Sequence, residues 1–197
     1  MNEVLVLYYS RHGATESLAR AICDGIDSVA GAASRLRTVP AVSTVTEASE
    51  DSVPENGPAY VTRDDLVECN GLVLGSPTRF GNMAAAMKYF LDSTGAEWMN
   101  GTLAGKPAGL FTSTSSLHGG QEATLLSMSV PLLHHGMLLV GIPYSVEALA
   151  TTTTGGTPYG ASHVTWNRTP DALSKDEVAI ARALGARVAT VAGKLAG

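Results

Sequence analysis

Short, almost wholly apolar runs alternate along this chain with longer segments in which apolar residues recur at helical spacing. A run that is apolar throughout suits a strand covered on both faces, and parallel strands need a crossover between them, usually a helix. The pattern therefore predicts an α/β protein built on a parallel sheet. Val4 to Tyr9 is the first strand, and Leu18, Ile22, Ile26 and Val29 share one face of the helix that follows. "ASRLRTV", Ala33 to Val39, alternates with Arg35 and Arg37 on one side, which predicts a less buried edge strand. "GLVLGS" (Gly71 to Ser76), "PAGLFTS" (Pro107 to Ser113) and "MLLVGI" (Met137 to Ile142) read as the third, fourth and fifth strands.

The connections can be read in the same way. "TRDDLVECN" has room for a short helix, and Met83, Met87, Phe90 and Leu91 give a later one a buried stripe, with Gly95 placed to end it. Pro131 falls late in the helix that starts near Gln121 and is expected to kink or end it. Val178, Ala181, Leu184, Val188, Val191 and Leu195 line one face of the last helix. Pro40 to about Ala59 holds three prolines and reads as a loop, and "TTTTGGTPYGASHVTWNRTPDALS" reads as a long polar excursion. Five strands and four long helices in a single domain over residues 1–197 are expected, with no repeat and no linker.

Composition excludes several classes. A chain of 197 residues buries roughly 70% of its unfolded surface and needs no disulfide or metal staple. No apolar run approaches the ~20 residues of a membrane span, so no membrane insertion is expected. The amino terminus enters a strand without a signal-peptide pattern, which makes a cytoplasmic location the expectation. Cys23 and Cys69 stand in neither a metal-ligand nor a redox spacing and are read as reduced filler. A net charge of -5 without a Lys/Arg cluster argues against a nucleic-acid partner. His118 and His163 lack partners at ligand spacing, and no metal is assigned. Lys106 and Arg168 are read as solvated.

In an open parallel sheet, ligands bind beyond the carboxyl ends of the strands. Three loops lie there. "SRHGATE" offers the hydroxyls of Ser10 and Thr15, a flexible Gly13 and the unpaired N–H groups of a helix start, which are the parts of a phosphate site. The same residues also serve as a plain helix cap and turn. "GTLAGKP" around Lys106 lacks the Walker spacing, and no G-x-G-x-x-G follows the first strand, so a nucleoside triphosphatase or an ordinary dinucleotide fold is disfavoured. "GSPTRFGNM" exposes Pro77, Arg79, Phe80, Gly81 and Asn82, able to present backbone donors and a flat surface to a planar heterocycle, although a simple turn uses Pro, Gly and Asn too. "STSSLHGGQE" adds four hydroxyl residues and a glycine pair before another helix start, and a flexible connection has the same composition.

Taken together, "VLYYSRHGATESLA", "GSPTRFGNM", "FLDSTGAEW", "TSTSSLHGGQE", "LLHHGM" and "GGTPYGAS" resemble the signature segments of the WrbA-type NAD(P)H:quinone oxidoreductases, flavodoxin-like FMN proteins, over nearly the whole chain. The resemblance implies a flavodoxin-like, doubly wound five-stranded parallel sheet in the order 2-1-3-4-5, with FMN as cofactor and NADH or NADPH as co-substrate. Carried over residue by residue, it makes Ser10, Arg11, His12, Gly13, Ala14 and Thr15 the phosphate loop. Pro77, Thr78, Arg79, Phe80, Gly81 and Asn82 become the flavin-ring loop. Ser113, Thr114, Ser115, Ser116, Leu117, His118 and Gly119 line the ribityl chain and ring edge. His134 matches the catalytic histidine beside the flavin, and Trp98 the aromatic lid over the substrate. His12 stands where some relatives carry a tyrosine associated with nicotinamide binding. Of the adjacent His134 and His135, one is expected to face the site and the other to be structural.

The implied activity is the two-electron reduction of a quinone by NAD(P)H, in a ping-pong cycle, by a homotetramer. A one-electron carrier and a non-catalytic binding module of the same fold are the rival expectations. Dithionite titration, read for a stabilised blue semiquinone, separates the carrier, and turnover of NADH with benzoquinone separates the binding module.

Overall fold

The computed structural model describes residues 1–42, 54, 57–165 and 172–196. Most of the stretch read as a proline-rich loop, and Arg168, lie outside the described residues. The central strand β1 (Asn2–Tyr8) pairs in parallel with β2 (Ala32–Thr38) on one side and β3 (Gly71–Pro77) on the other. β4 (Pro107–Thr114) extends the sheet beyond β3, and β5 (Leu138–Leu139) pairs with its first residues, giving the order 2-1-3-4-5.

Alternation along β1 explains why the sheet needs two covers. Val4, Val6 and Tyr8 point into one apolar cluster and Leu5 and Leu7 into the other. The first cluster is closed by α1 (Ala14–Asp27), through Leu18, Ile22 and Ile26, and by α7 (Lys175–Leu195), through Ile180, Leu184 and Val188. The second is closed by α3 (Ala85–Asp92) and α5 (Gln121–His134), whose Met87, Leu125 and Met128 are fully buried. Every residue of β2 is half-buried, as befits an edge strand.

α1 and α7 meet backbone to backbone. A Cβ on Gly25 would lie 2.1 Å from the carbonyl oxygen of Arg182, and one on Gly185 would lie 2.2 Å from that of Ile22. Close approach is the reason for both glycines, since neither has a positive φ. Gly185→Ala is therefore expected to destabilise the protein by about 1–3 kcal/mol, because the helices must separate to admit the methyl. Urea denaturation of the variant beside the parent is the check, and equal midpoints would contradict the close contact.

Several expectations need correction. The excursion after Ile142 contains α6 (Glu147–Thr151) and a sixth strand, β6 (Ala161–Val164), which pairs in parallel with residues 111–114 of β4. The expected fifth strand over Met137–Ile142 shrinks to two residues, so two separate segments share the fifth place in the sheet. β4 is long enough to serve both, with residues 107–108 facing β5 and its second half facing β6. Gly95 does not end α3, which stops at Asp92; it begins a short helix, α4 (Gly95–Met99). Pro131 sits in the last turn of α5, and the helix runs on to His134 before Gly136 turns the chain at φ 74°. Phe90, Leu91, Val178 and Val191 are only half-buried and Leu195 is exposed. Lys106 is not simply solvated: its Nζ donates to the carbonyls of Leu66 and Val67, in the last turn of α2 (Arg63–Glu68), where a cation complements the helix dipole. No helix among the described residues is long and apolar enough to cross a membrane.

Candidate active site

The carboxyl ends of β1, β3 and β4 converge on a cavity of about 220 Å³. Its floor is the start of α1. Gly13 is the N-cap at φ 88°, no side chain caps the helix, and the first-turn N–H groups are left to a ligand. The Ser10 hydroxyl accepts from the Gly13 N–H at 3.1 Å, so its own proton remains free to donate. Thr15 is not a cap. Its Oγ1 lies 2.8 Å from Ser113 Oγ, and since that pair spends one proton on its mutual bond, one hydroxyl donor is left over.

From the first loop, Ser10, Arg11, His12, Ala14 and Thr15 line this cavity; the second loop contributes Pro77, Thr78 and Arg79, and the third Ser113, Thr114 and Ser115. Thr165, just after β6, completes the wall and was not singled out from the sequence. Its N–H donates to the carbonyl of Thr114 at 2.9 Å, so the β6 pairing places it. Among the described residues two arginines and no carboxylate line the cavity, which makes that lining cationic on an acidic protein.

The second loop closes as a tight turn. Arg79 N–H donates to Asn82 carbonyl at 2.7 Å, and Asn82 N–H returns to Arg79 carbonyl at 3.0 Å. The two residues between, Phe80 at φ 54° and Gly81 at φ 77°, both have positive φ, as a type I′ turn demands. Phe80 is the one described residue other than glycine with positive φ, and its ring is wholly exposed. A left-handed bulky residue stores about 1–3 kcal/mol of strain, and such strain concentrates at ligand sites. Thr78 is anchored by a hydroxyl pair with Thr124 at 2.6 Å and by its N–H on the carbonyl of Ser113.

Ser116, Leu117, His118 and Gly119 do not line the cavity. Ser116 and Gly119 brace the loop: Thr114 Oγ1 donates to the carbonyl of Ser116, and Gly119 N–H donates to the same oxygen. Leu117 and His118 are exposed.

Trp98 and His134 lie elsewhere in the chain. They border a wider, mostly apolar cleft of about 460 Å³ between α3, α4 and the end of α5, which shares no lining residue with the first cavity. The Arg79–Asn82 turn stands between the two, with Arg79 on one wall and Asn82 on the other. Trp98 is half exposed and its Nε1 donates to the His134 carbonyl at 2.8 Å. His134 is exposed, whereas His135 is buried with Nε2 3.0 Å from Thr94 Oγ1. Within one chain, therefore, the structure brings together the phosphate loop, the base of the ring loop and the start of the third loop, and separately the Trp98–His134 pair. Among the described residues no cluster of His, Cys, Asp and Glu is arranged to hold a metal.

Comparison with known proteins gives this geometry its context. Residues 3–151 match the family model described as NADPH-dependent FMN reductase. An NAD(P)H dehydrogenase (quinone) of Chromohalobacter salexigens is 46% identical over 201 residues, covering the whole of both chains. Among solved structures, a WrbA-like flavodoxin from Agrobacterium tumefaciens superposes with a TM-score of 0.70 at 22% identity, over 98% of this chain and 99% of that one. Flavodoxin 1 from Bacillus cereus does so at 0.59 and 16% identity, over 95% and 97%. The sheet order and the helix pairs covering it are thus those of the flavodoxin-like fold, and the chain belongs to the NADPH-dependent FMN reductase family.

Proposed function

We propose that this protein is a cytoplasmic, FMN-dependent NAD(P)H:quinone oxidoreductase. The observation that carries the reading is the cationic, hydroxyl-lined cavity at an uncapped helix start, in a chain of this family. A phosphate monoester fits there: the N-terminus of α1 offers N–H donors, Ser10 and the Thr15–Ser113 pair each have a hydroxyl proton to give, and Arg11 and Arg79 supply positive charge. The Thr78–Phe80 backbone would hold the ring, and Ser113, Thr114 and Ser115 would hold the ribityl chain and ring edge, with Ser116 and Gly119 bracing that loop. When bound, FMN supplies the redox chemistry, taking a hydride from NAD(P)H and passing two electrons to the quinone.

The chain's own residues bind and orient. Trp98 offers a flat apolar surface for one planar substrate at a time, and His134 offers a donor to the quinone oxygen as charge develops there. Because these two residues border a different cleft from the phosphate loop, a neighbouring subunit brings them to the flavin. Surface chemistry supports assembly. Leu126, Val130 and Leu133 form an exposed apolar stripe on α5 at helical spacing, and Leu138 and Leu139 of β5 are also exposed. A homotetramer with FMN favouring assembly by mass action is the reading, and sedimentation of the holoprotein tests it.

Steady-state reduction of benzoquinone by NADH and NADPH is the decisive experiment. One shared platform predicts parallel double-reciprocal lines and inhibition by excess quinone that competes with NAD(P)H. Trp98→Ala removes a stacking surface worth about 0.5–1.5 kcal/mol, so the quinone KM should rise several-fold with FMN still bound. Intersecting lines would rule out the shared platform, and absence of NAD(P)H turnover would leave an electron carrier or binding module.

A further inference from the structure

The geometry points to His135 as the positioning residue that holds the Trp98–His134 pair in place, acting through the hydroxyl of Thr94. This inference rests on the reading of Trp98 and His134 as the substrate platform.

Thr94 lies at the turn between α3 and α4 and is 1% exposed. Its hydroxyl donates to the carbonyl of Leu91 at 2.7 Å, which uses its only proton. The contact at 3.0 Å with His135 Nε2 must then run the other way, with the imidazole donating and Thr94 Oγ1 accepting. That fixes the ring of His135 as the tautomer protonated at Nε2. The other nitrogen, Nδ1, is buried and has no hydrogen-bond partner among the described residues. A proton there would be a buried donor without an acceptor, so the ring stays neutral. Burial, the largest influence, lowers its pKa below the ordinary histidine value; the neighbouring His134 acts in the same direction and Glu97 opposes them.

Two bonds therefore tie the end of α5 to the α3–α4 insertion. Trp98 Nε1 donates to the carbonyl of His134, and the next residue along, His135, donates to Thr94 at the foot of the helix that carries Trp98. Trp98 and His134 are both exposed, so their own packing restrains them weakly. α4 is a single short helix with no buried residue of its own. The buried His135–Thr94 bond is what converts an exposed indole on a short helix into a surface of defined orientation, and an indole bonded to the backbone beside His134 keeps that imidazole in register with it.

The test uses holoprotein in a Trp166→Phe background, so that Trp98 is the sole indole, labelled with 5-fluorotryptophan and read by fluorine NMR. His135→Ala and Thr94→Val are expected to shift and broaden the Trp98 line and to raise the quinone KM about two- to tenfold, the scale of a lost aromatic contact, with FMN content little changed. His135→Gln places an amide N–H where Nε2 stands and should restore both readouts; His135→Asn, whose amide reaches only the position of Nδ1, should not. Thr94→Ser keeps the acceptor and should also restore them. Should His135→Ala fail to fold, Thr94→Val carries the same test. An unchanged fluorine line in the Ala and Val variants, or equal rescue by Asn and Gln, overturns the inference. A moved line with an unchanged quinone KM upholds the positioning by His135 and overturns instead the reading of Trp98 as the substrate platform.

Discussion

Replacing Glu177 with alanine is expected to destabilise the folded protein by about 3–5 kcal/mol at neutral pH, because several donors lose their shared buried acceptor at about 1–3 kcal/mol each. Glu177 and His163 are both fully buried, with Nδ1 of the imidazole 3.0 Å from Oε2 of the carboxylate. The carboxylate does more than pair. Oε1 accepts the N–H groups of Gly155 at 2.9 Å and Val164 at 3.1 Å, and Oε2 accepts that of Ser174 at 2.7 Å, closing a capping box on α7. Alanine removes the acceptor that the N–H groups of Gly155, Val164 and Ser174 share. At a chain of this size the loss corresponds to a fall in Tm of roughly 6–20 °C. The measurement should hold FMN and protein concentration fixed, because bound cofactor and assembly raise apparent stability. A Tm within about 2 °C of the parent, less than 1 kcal/mol, would contradict the account.

The same carboxylate makes stability depend on acid. Burial, the strongest influence, raises its pKa, but the bonds from His163, Ser174 and Val164 together outweigh it and hold the group at about 2, against an ordinary 4.5. A pKa depressed by folding favours the folded state while the group is ionised. The contribution is therefore complete above pH 4.5 and is lost as pH falls toward 2, and its size is about 3 kcal/mol. Glu177→Gln keeps the shape and one acceptor but cannot ionise. It should unfold more easily than the parent at neutral pH and show a flatter decline of stability between pH 5 and pH 2. An identical pH slope in the two proteins would place the acid sensitivity elsewhere.

The double substitution Ser10→Ala, Thr15→Ala should weaken FMN binding by at least tenfold, and by about a hundredfold to ten-thousandfold if the two contributions of about 1.5–3 kcal/mol add. Ser10 accepts rather than donates in its bond with Gly13 and keeps a proton to give, and the Thr15–Ser113 pair has one proton to spare between its two hydroxyls. Thr15→Ser retains the hydroxyl and should bind close to the parent. Titration of the apoprotein with FMN, followed by quenching of flavin fluorescence, reads the affinity. Unchanged affinity in the double variant would move the phosphate away from the start of α1. Loss of affinity with an unchanged far-ultraviolet circular dichroism spectrum would separate the effect from misfolding.

What the sequence determined by itself is local and periodic. Alternation of Val4, Leu5, Val6 and Leu7 between two apolar clusters required a sheet covered on both faces, and the helical spacing of Leu18, Ile22 and Ile26 supplied one cover. The two arginines of β2 and its partial burial agree with an edge strand. The candidate phosphate loop was legible for the same reason, since a strand end, small hydroxyl residues and a helix start are consecutive in the chain.

Tertiary structure decided what depends on partners far apart. "ASHV" has a polar residue and a histidine in four and no strand signal of its own; it becomes β6 because the second half of β4 has an open edge where β5 stops after two residues. Thr165 enters the cavity wall only through that pairing. The fully buried His163–Glu177 pair has no periodic signature, because its worth lies in four donors gathered from three separate segments around one carboxylate. Trp98 and His134 meet through a bond between an insertion and the end of another helix. Hydrogen bonds that close at long range leave no trace in hydrophobic spacing, which records only the face each residue turns to the core.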